Sequence, residues 1–382
     1  MTQTSVVELG PIAHGGHCVA RLDGRVVFVR HGLPGERVRV RLTDTSRDRF
    51  WWGEVAEVLE ASPDRVVPPC PIAGRCGGCD FQHVTLPGQR QLKATVIAEQ
   101  LQRLAGIEWP VVVEQVPGDV DGLGWRTRMR YLTRDGRVGL RAWRSDELVE
   151  LPAGGCRIAH PDGPSDLLSF AAAEGDLQVT VASDQVSVLD AEGEPLVGQP
   201  EVRQLVGLRE FRVRADGFWQ VHPGAAQVLT AAVLQGLAPG AGESALDLYC
   251  GVGLFAGVLV DAGCRVQGVE SNRSAVDLAR ANVPEARFQT GRLERILQRL
   301  PGKTDLIVLD PPRTGARAAV VKRLAAMQAR RVAYVACDPA ALARDLATFN
   351  DCGYVLADLR AFDIFPMTHH VECVAILEPA SS

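Results

Sequence analysis

Ser244-Ala245-Leu246-Asp247-Leu248 runs straight into Tyr249-Cys250-Gly251-Val252-Gly253-Leu254-Phe255, and the reading of this stretch decides the fold. A short apolar strand delivers the chain to a Gly-x-Gly turn, after which helical sequence begins. Glycines at such a first β-to-α turn let a ligand approach the backbone closely. The next strand, Arg265 to Val269, ends in Glu270, about twenty residues on, where an acidic side chain can bind a ribose diol. That spacing suits a dinucleotide and S-adenosylmethionine alike.

The pattern continues on both sides. From about Val202 to Ser382, helical periodicity and apolar runs alternate, which predicts a doubly wound α/β domain over residues 201–382. One strand, Asp305 to Leu309, ends in Asp310-Pro311-Pro312-Arg313. Two prolines there make a stiff loop at the carboxyl edge of the sheet. Another strand, Arg331 to Ala336, ends in Cys337-Asp338-Pro339. Asp338 is a natural N-cap and Pro339 a natural first helical residue for Ala340 to Thr348. Cys337 is therefore expected at the edge where open α/β sheets bind ligands. It is also expected at the positive end of a helix, which favours the thiolate. Asp338 opposes the thiolate if it is ionised, so the two pull in opposite directions.

Upstream, the chain changes character twice. Residues 1–61 carry short alternating runs punctuated by Gly15-Gly16, Asp23-Gly24 and Leu33-Pro34-Gly35, the signature of a small OB-like β-barrel. Residues 62–200 are rich in Pro, Cys and Gly. The spacing of Leu92, Val96, Ile97, Leu101 and Leu104 predicts a helix over 87–105, able to pack on the C-terminal domain, and short strands resume from Val111 to about Val197. Cys70-x5-Cys76-x2-Cys79 is a ligand signature, and Cys156 in Gly154-Gly155-Cys156 offers a fourth thiolate. Four thiolates complete a zinc site or an iron–sulfur cluster, although zinc more often uses two Cys-x2-Cys pairs and only one is present. Cys18, Cys250, Cys264, Cys352 and Cys373 read as core residues.

The net charge of -5 argues against general stickiness for nucleic acid. Its distribution argues the other way. Arg37, Arg39, Arg41, Arg47 and Arg49 crowd one segment, and Arg126, Arg128, Arg130, Arg134, Arg137, Arg141 and Arg144 another. Alternation places Arg126, Arg128 and Arg130 on one strand face, either a solvated edge or a strip tracking phosphates. No apolar run reaches membrane-spanning length. Met1-Thr2-Gln3-Thr4-Ser5 lacks a leader's basic and apolar regions. A cytoplasmic protein with reduced cysteines is the expectation.

Several of these motifs resemble one family together. Asp247-Leu248-Tyr249-Cys250-Gly251-Val252-Gly253 looks like the first motif of class I methyltransferases, and His31-Gly32-Leu33-Pro34-Gly35-Glu36 resembles the turn of a TRAM domain, an OB-like RNA-binding barrel. Asp310-Pro311-Pro312-Arg313 followed one βα unit later by Cys337 resembles the RNA uridine-5-methyltransferases, whose members read Cys-Asn-Pro there. Phe365-Pro366-Met367-Thr368-His369-His370-Val371-Glu372 resembles that family's closing motif, and Phe218-Trp219-Gln220-Val221-His222 its Phe-x-Gln-x-Asn. Asp338, His222 and Gly291-Arg292 depart from the usual residues.

The resemblance implies a class I S-adenosylmethionine-dependent domain, an N-terminal TRAM barrel and a small cluster-bearing β domain. Cys337 would add to C6 of uracil, because C5 is too weak a nucleophile to take a methyl group unaided. Glu372 would then remove the C5 proton, with His369 or His370 assisting or held structurally. Gln220, Tyr249, Gly251, Gly253, Glu270 and Asp310 would bind the cofactor. Cys70, Cys76, Cys79 and Cys156 would hold a [4Fe-4S] cluster of structural role, as in the subgroup with this cysteine pattern. The substrate would be a uridine in structured ribosomal or transfer RNA, flipped from its stack. A monomer without an obligate protein partner is expected. Two rivals stand beside this reading. An amino-group methyltransferase would use Asp310-Pro311-Pro312 without covalent catalysis, although Arg313 stands where such enzymes place a base-stacking aromatic. A silent RNA-binding module would transfer no methyl group.

Overall fold

The computed structural model describes residues 4–380. Met1–Gln3, and with them most of the stretch read as lacking a leader, lie outside the described residues, as do Ser381 and Ser382. No described helix is long and apolar enough to cross a membrane.

The N-terminal runs form β1 (Thr4–Glu8), β2 (Ile12–Ala13), β3 (His17–Leu22), β4 (Arg25–Arg30), β5 (Arg37–Asp44) and β6 (Phe50–Glu60). They pair in the order β1-β5-β6-β4-β3-β2 as one curled sheet. Val27, Val29, Val38 and Val40 bury with Leu9, Ile12 and Leu33, as a two-residue period requires. The turn before β5 is fixed by Glu36, which is fully buried and accepts from the Leu33 amide at 2.9 Å and from Arg65 Nη2 at 2.6 Å.

Helix α1 (Leu86–Ala105) starts at Thr85, whose hydroxyl accepts from the Gly88 amide at 3.2 Å, and stops at Gly106 in the left-handed region (φ +66°). It is a wedge. Ala94, Ile97 and Leu101 enter the core of the C-terminal sheet, while Leu92 and Val96 pack on the barrel core. Strand β7 (Val113–Gln115) then joins the C-terminal sheet. This corrects the expectation that all the short strands from Val111 to about Val197 belong to the central segment. The central sheet holds β8 (Arg128–Arg134), β9 (Arg137–Arg141), β10 (Leu148–Glu150), β11 (Gly175–Val181), β12 (Val186–Leu189) and β13 (Pro195–Val197), in the order β10-β9-β8-β11-β12-β13. It has a core of its own around Met129, Tyr131, Leu177 and Val188.

A hairpin of β14 (Glu201–Val206) and β15 (Arg209–Arg214) follows, so the helix–strand alternation starts later than Val202. After α2 (Ala225–Leu237) come β16 (Ser244–Leu248), α3 (Leu254–Asp261), β17 (Arg265–Glu270), α4 (Arg273–Asn282), β18 (Arg287–Thr290), α5 (Leu293–Ile296), β19 (Leu306–Leu309), α6 (Ala318–Ala325), β20 (Arg331–Ala336), α7 (Pro339–Asp351), β21 (Tyr354–Asp363) and β22 (Glu372–Pro379). The strand order is β18-β17-β16-β19-β20-β22-β21-β7. Strands β16 to β20 are mutually parallel, and β22 runs against β20. Core clusters on both faces cover the sheet, which is why Leu306–Leu309 reads as an uninterrupted apolar run. The order reverses between β16 and β19, and the loops leaving those two strands meet at that switch point, where such sheets bind ligands.

Two arginine groups do not behave as a phosphate strip. Arg37, Arg39 and Arg41 pair across β5 and β6 with Glu60, Glu57 and Glu54. Arg128 Nη1 donates to the carbonyl oxygens of Arg214, Ala215 and Gly217 at 3.3, 3.1 and 2.5 Å. Arg126 is also half-buried, and only Arg130 of that alternating trio is exposed. Residues 214–217 cover Arg128, whereas Arg126 lies before β8 and lines a cavity with Cys76, Cys79 and Cys156.

Candidate active site

The turn after β16 is built from unusual backbone. Tyr249, Gly251 and Gly253 all have positive φ (+61°, +52° and +92°), which is costly for Tyr249 and marks a constrained site. A Cβ on Gly251 would meet nothing within 4 Å and project into open space, whereas one on Gly253 would press on Val283 and Phe288. The two glycines thus differ in role. Gly251 leaves room for a ligand, and Gly253 lets α3 and α4 approach.

A cavity of about 970 Å³ opens over this turn. It is lined by Gln220, Tyr249, Gly251, Glu270, Asp310, Cys337 and Glu372, seven of the eight residues expected to carry cofactor binding and catalysis. Gly253 is the exception and stands behind the wall. Glu270 Oε2 accepts from the Gly251 amide at 3.2 Å, and its Oε1 from the Asn272 amide at 2.7 Å, so the carboxylate is held at the end of β17. Gly291 and Arg292 line the same cavity despite their departure from the family pattern.

At the other end, Cys337 leaves β20 directly before the cap of α7. Asp338 accepts from the Ala341 amide at 2.7 Å and Pro339 follows as the first helical residue. The helix end does not decide the ionisation of Cys337. Burial, then Glu372 and Asp310, push the Cys337 thiol up to about 12, against a smaller opposing pull from Arg313. Burial also raises Asp310 to about 7, and raises Glu372 well above the carboxylate range with the Asp310 charge adding to it. The helix end is overruled by desolvation and two carboxyl groups.

Glu372 stands at the first position of β22, opposite Phe362 of β21. The loop before it is clamped by parts of the chain far away. Lys93 donates to Asp363 Oδ1 at 2.5 Å and to the Phe365 carbonyl at 3.1 Å, with both charged side chains 1% exposed. The amides of Asp80 and Phe81 donate to the Met367 carbonyl at 2.9 Å, and the Met367 amide donates to Gln89 Oε1 at 2.8 Å. His369 Nδ1 meets Asp80 Oδ2 at 2.6 Å. His370 lies beside Arg313 at 3.4 Å, and burial lowers it to about 3. Sequence reasoning missed Lys93, Asp80 and Gln89, because nothing local marks a partner so distant in the chain.

A second cavity, about 240 Å³, is lined by Cys70, Cys76, Cys79 and Cys156 together with Gln82 and Arg126. Cys76 Sγ accepts from the Gly78 amide at 3.4 Å and Cys79 Sγ from Gln82 Nε2 at 3.2 Å. Among the described residues, no three His, Cys, Asp or Glu side chains converge as ligands of a single metal ion.

The fold and the switch-point cavity define a class I methyltransferase. The tRNA (Uracil-5-)-methyltransferase family matches residues 289–380, the TRAM domain residues 3–51 and the methyltransferase small domain residues 225–333. An uncharacterized RNA methyltransferase of Streptomyces avermitilis is 48% identical over 98% of both chains. Another from Bifidobacterium longum is 38% identical over 97% of this chain and 95% of its own. The chain therefore belongs to the RNA methyltransferases of the uracil-5 family that carry a TRAM domain. In overall fold it is similar to Pyrococcus abyssi tRNA (uracil-54, C5)-methyltransferase, solved with S-adenosyl-L-homocysteine, at a TM-score of 0.75 and 23% identity over 98% of this chain and all of that one.

Proposed function

We propose that the enzyme methylates C5 of a uridine in ribosomal or transfer RNA, with S-adenosylmethionine as donor, Cys337 as nucleophile and Glu372 as base. One observation carries the reading. Cys337, Asp310 and Glu372 share a single cavity with the Gly251 turn and Glu270. The chemistry of the lining fits the donor. Glu270 retains carboxylate lone pairs for a ribose diol, Gly251 leaves space at the backbone, and Gln220, Tyr249 and Asp310 complete the walls. When bound, the donor supplies an electrophilic methyl group.

Cys337 Sγ attacks C6, and the ring electrons move to give an enolate nucleophilic at C5. Asp310, whose carboxyl burial raises to about 7, lines the same cavity as Cys337 and is a fitting acceptor for the thiol proton. C5 then gains the methyl group and carries both it and a hydrogen. Glu372 takes that proton, the ring electrons return, and the C6–S bond breaks to release Cys337. Its burial makes Glu372 a stronger base than an exposed carboxylate. Phe218, 74% exposed on the cavity lining, offers a ring for a base drawn out of its stack.

The four cysteines support a [4Fe-4S] cluster over zinc. Zinc more often uses two Cys-x2-Cys pairs, and only one is present here. Four thiols around one cavity, two of them receiving N–H donors, are the ligand set a [4Fe-4S] cluster needs. The methyl transfer needs no electron, so the group's work is to pin the 70–84 loop. Anaerobically purified protein should contain about four irons and four sulfides per chain, and stoichiometric zinc instead would reject the assignment.

The catalytic reading is tested with RNA containing 5-fluorouridine, which blocks proton removal from C5. Wild-type enzyme with donor should form a covalent protein–RNA complex that Cys337→Ala cannot form. Methylation of unsubstituted RNA by Cys337→Ala would instead favour the amino-group alternative.

A further inference from the structure

The family places asparagine after the nucleophile, and this chain has Asp338. An aspartate there sets a negative charge beside a thiol that must ionise. The structure shows what stands against it. His14 Nε2 lies 3.1 Å from Asp338 Oδ2, with side-chain exposures of 40% and 21%. His14 belongs to the turn between β2 and β3, on the N-terminal sheet. That turn is shaped to reach the site. Gly15 and Gly16 have φ of +94° and +79°, and a Cβ on Gly16 would fall 2.8 Å from Cβ of His369. The turn therefore rests on the closing loop and on the cap of α7 together. A small cavity of about 160 Å³, lined by His14, Gly16, Cys337, Asp338 and His369, lies between them.

We propose that His14 is a positioning residue of the nucleophile site: its ring nitrogen pairs with Asp338 and, when the imidazole is protonated, offsets the charge that an aspartate cap sets beside Cys337. The inference rests on Cys337 being the nucleophile. Several other groups face these two. Glu372, Asp310, Asp338 and Arg313 act on Cys337 from β22, the loop after β19 and the start of α7. His14 and Arg344 act on Asp338, which burial would raise but which these two side chains and the Ala341 amide hold low. Lys93, near the same cavity, is already committed to Asp363. His14 is thus the group that contacts Asp338 from outside the C-terminal domain.

The test is a double-mutant cycle on the full-length protein. Alkylation of Cys337 by iodoacetamide is followed by peptide mass spectrometry from about pH 6 to pH 10. His14→Ala should move the alkylation profile upward by as much as about one unit, which means about tenfold less thiolate at a fixed pH. His14→Gln keeps a hydrogen-bonding side chain without the charge and should behave like His14→Ala. Asp338→Asn should move the profile downward while still capping α7. In the double variant His14→Ala/Asp338→Asn, removal of His14 should change the rate less than about twofold. Trapping by 5-fluorouridine RNA should follow the same ranking. A His14→Ala profile identical to wild type overturns the inference, as does an equal His14 effect with and without Asp338→Asn. If wild type forms no Cys337-dependent RNA adduct while the alkylation cycle behaves as stated, the uridine mechanism fails and the charge pairing stands.

Discussion

Replacing Lys93 by methionine tests whether the loop before Glu372 is held from outside its own domain. The substitution keeps the length of the side chain and removes the ammonium. Asp363 would then lose the donor on Oδ1, while its Oδ2 already has no partner and both side chains are 1% exposed. Removing one member of a buried pair costs about 3–5 kcal/mol, because the other charge stays behind without compensation. The lost bond to the Phe365 carbonyl adds about 1 kcal/mol. Against a total stability of about 5–15 kcal/mol, this is a large fraction. The urea midpoint should fall by about 1–2 M at a typical slope. Lys93→Met/Asp363→Leu, which removes both charges, should recover most of the loss. A loss under about 1 kcal/mol in the single variant, or no recovery in the double, would show that the pair does not clamp the loop. Because Phe365 leads into Glu372, the single variant should also transfer methyl groups more slowly at temperatures where it remains folded.

Glu372→Gln should form the covalent adduct on unsubstituted RNA and release it at least about a hundredfold more slowly, since a general base contributes on that order; rapid product release would remove Glu372 from the role. Arg130→Ala should lower the salt slope of RNA binding by about one, whereas Arg128→Met should lower the melting temperature and leave that slope unchanged, because Arg128 serves the carbonyls of residues 214–217. An altered slope in Arg128→Met would restore it as a phosphate contact. For Asp310, burial raises the folded-state value to about 7, so the folded protein holds this proton after the unfolded chain has shed it. Its contribution to stability is therefore greatest below about pH 4 and declines toward pH 7. Asp310→Asn should flatten that part of the curve in melting temperatures taken between these limits, and an unchanged slope would place the burial effect elsewhere.

Much of the architecture was legible because its signals are local. A strand ending in Tyr249-Cys250-Gly251-Val252-Gly253, a second ending in Glu270 and a third ending in Cys337-Asp338-Pro339 each carry their geometry in a few neighbouring residues, and α7 begins where its cap and proline say. The misread features share one cause. Alternation assigned Arg126, Arg128 and Arg130 to a face but could not say that residues 214–217 take up Arg128. The helix end and Asp338 pull on Cys337 in opposite directions, and nothing local could show that two carboxyl groups arriving after β19 and at β22 outweigh both.

What the sequence withheld was the assembly of the site from distant segments. Asp80 and His369 are 289 residues apart, and Lys93 and Asp363 are 270 apart. Each contact brings the cysteine-rich loop or α1 onto the segment that delivers Glu372, while His14 brings the N-terminal sheet onto the cap beside Cys337. Cys337 and Glu372 thus sit on one sheet edge, yet their surroundings are set by the N-terminal sheet and by the segment from the cysteine-rich loop to α1. A defect in either region should register at Cys337 or Glu372 before the C-terminal sheet itself is disturbed, because that sheet has its own cores on both faces.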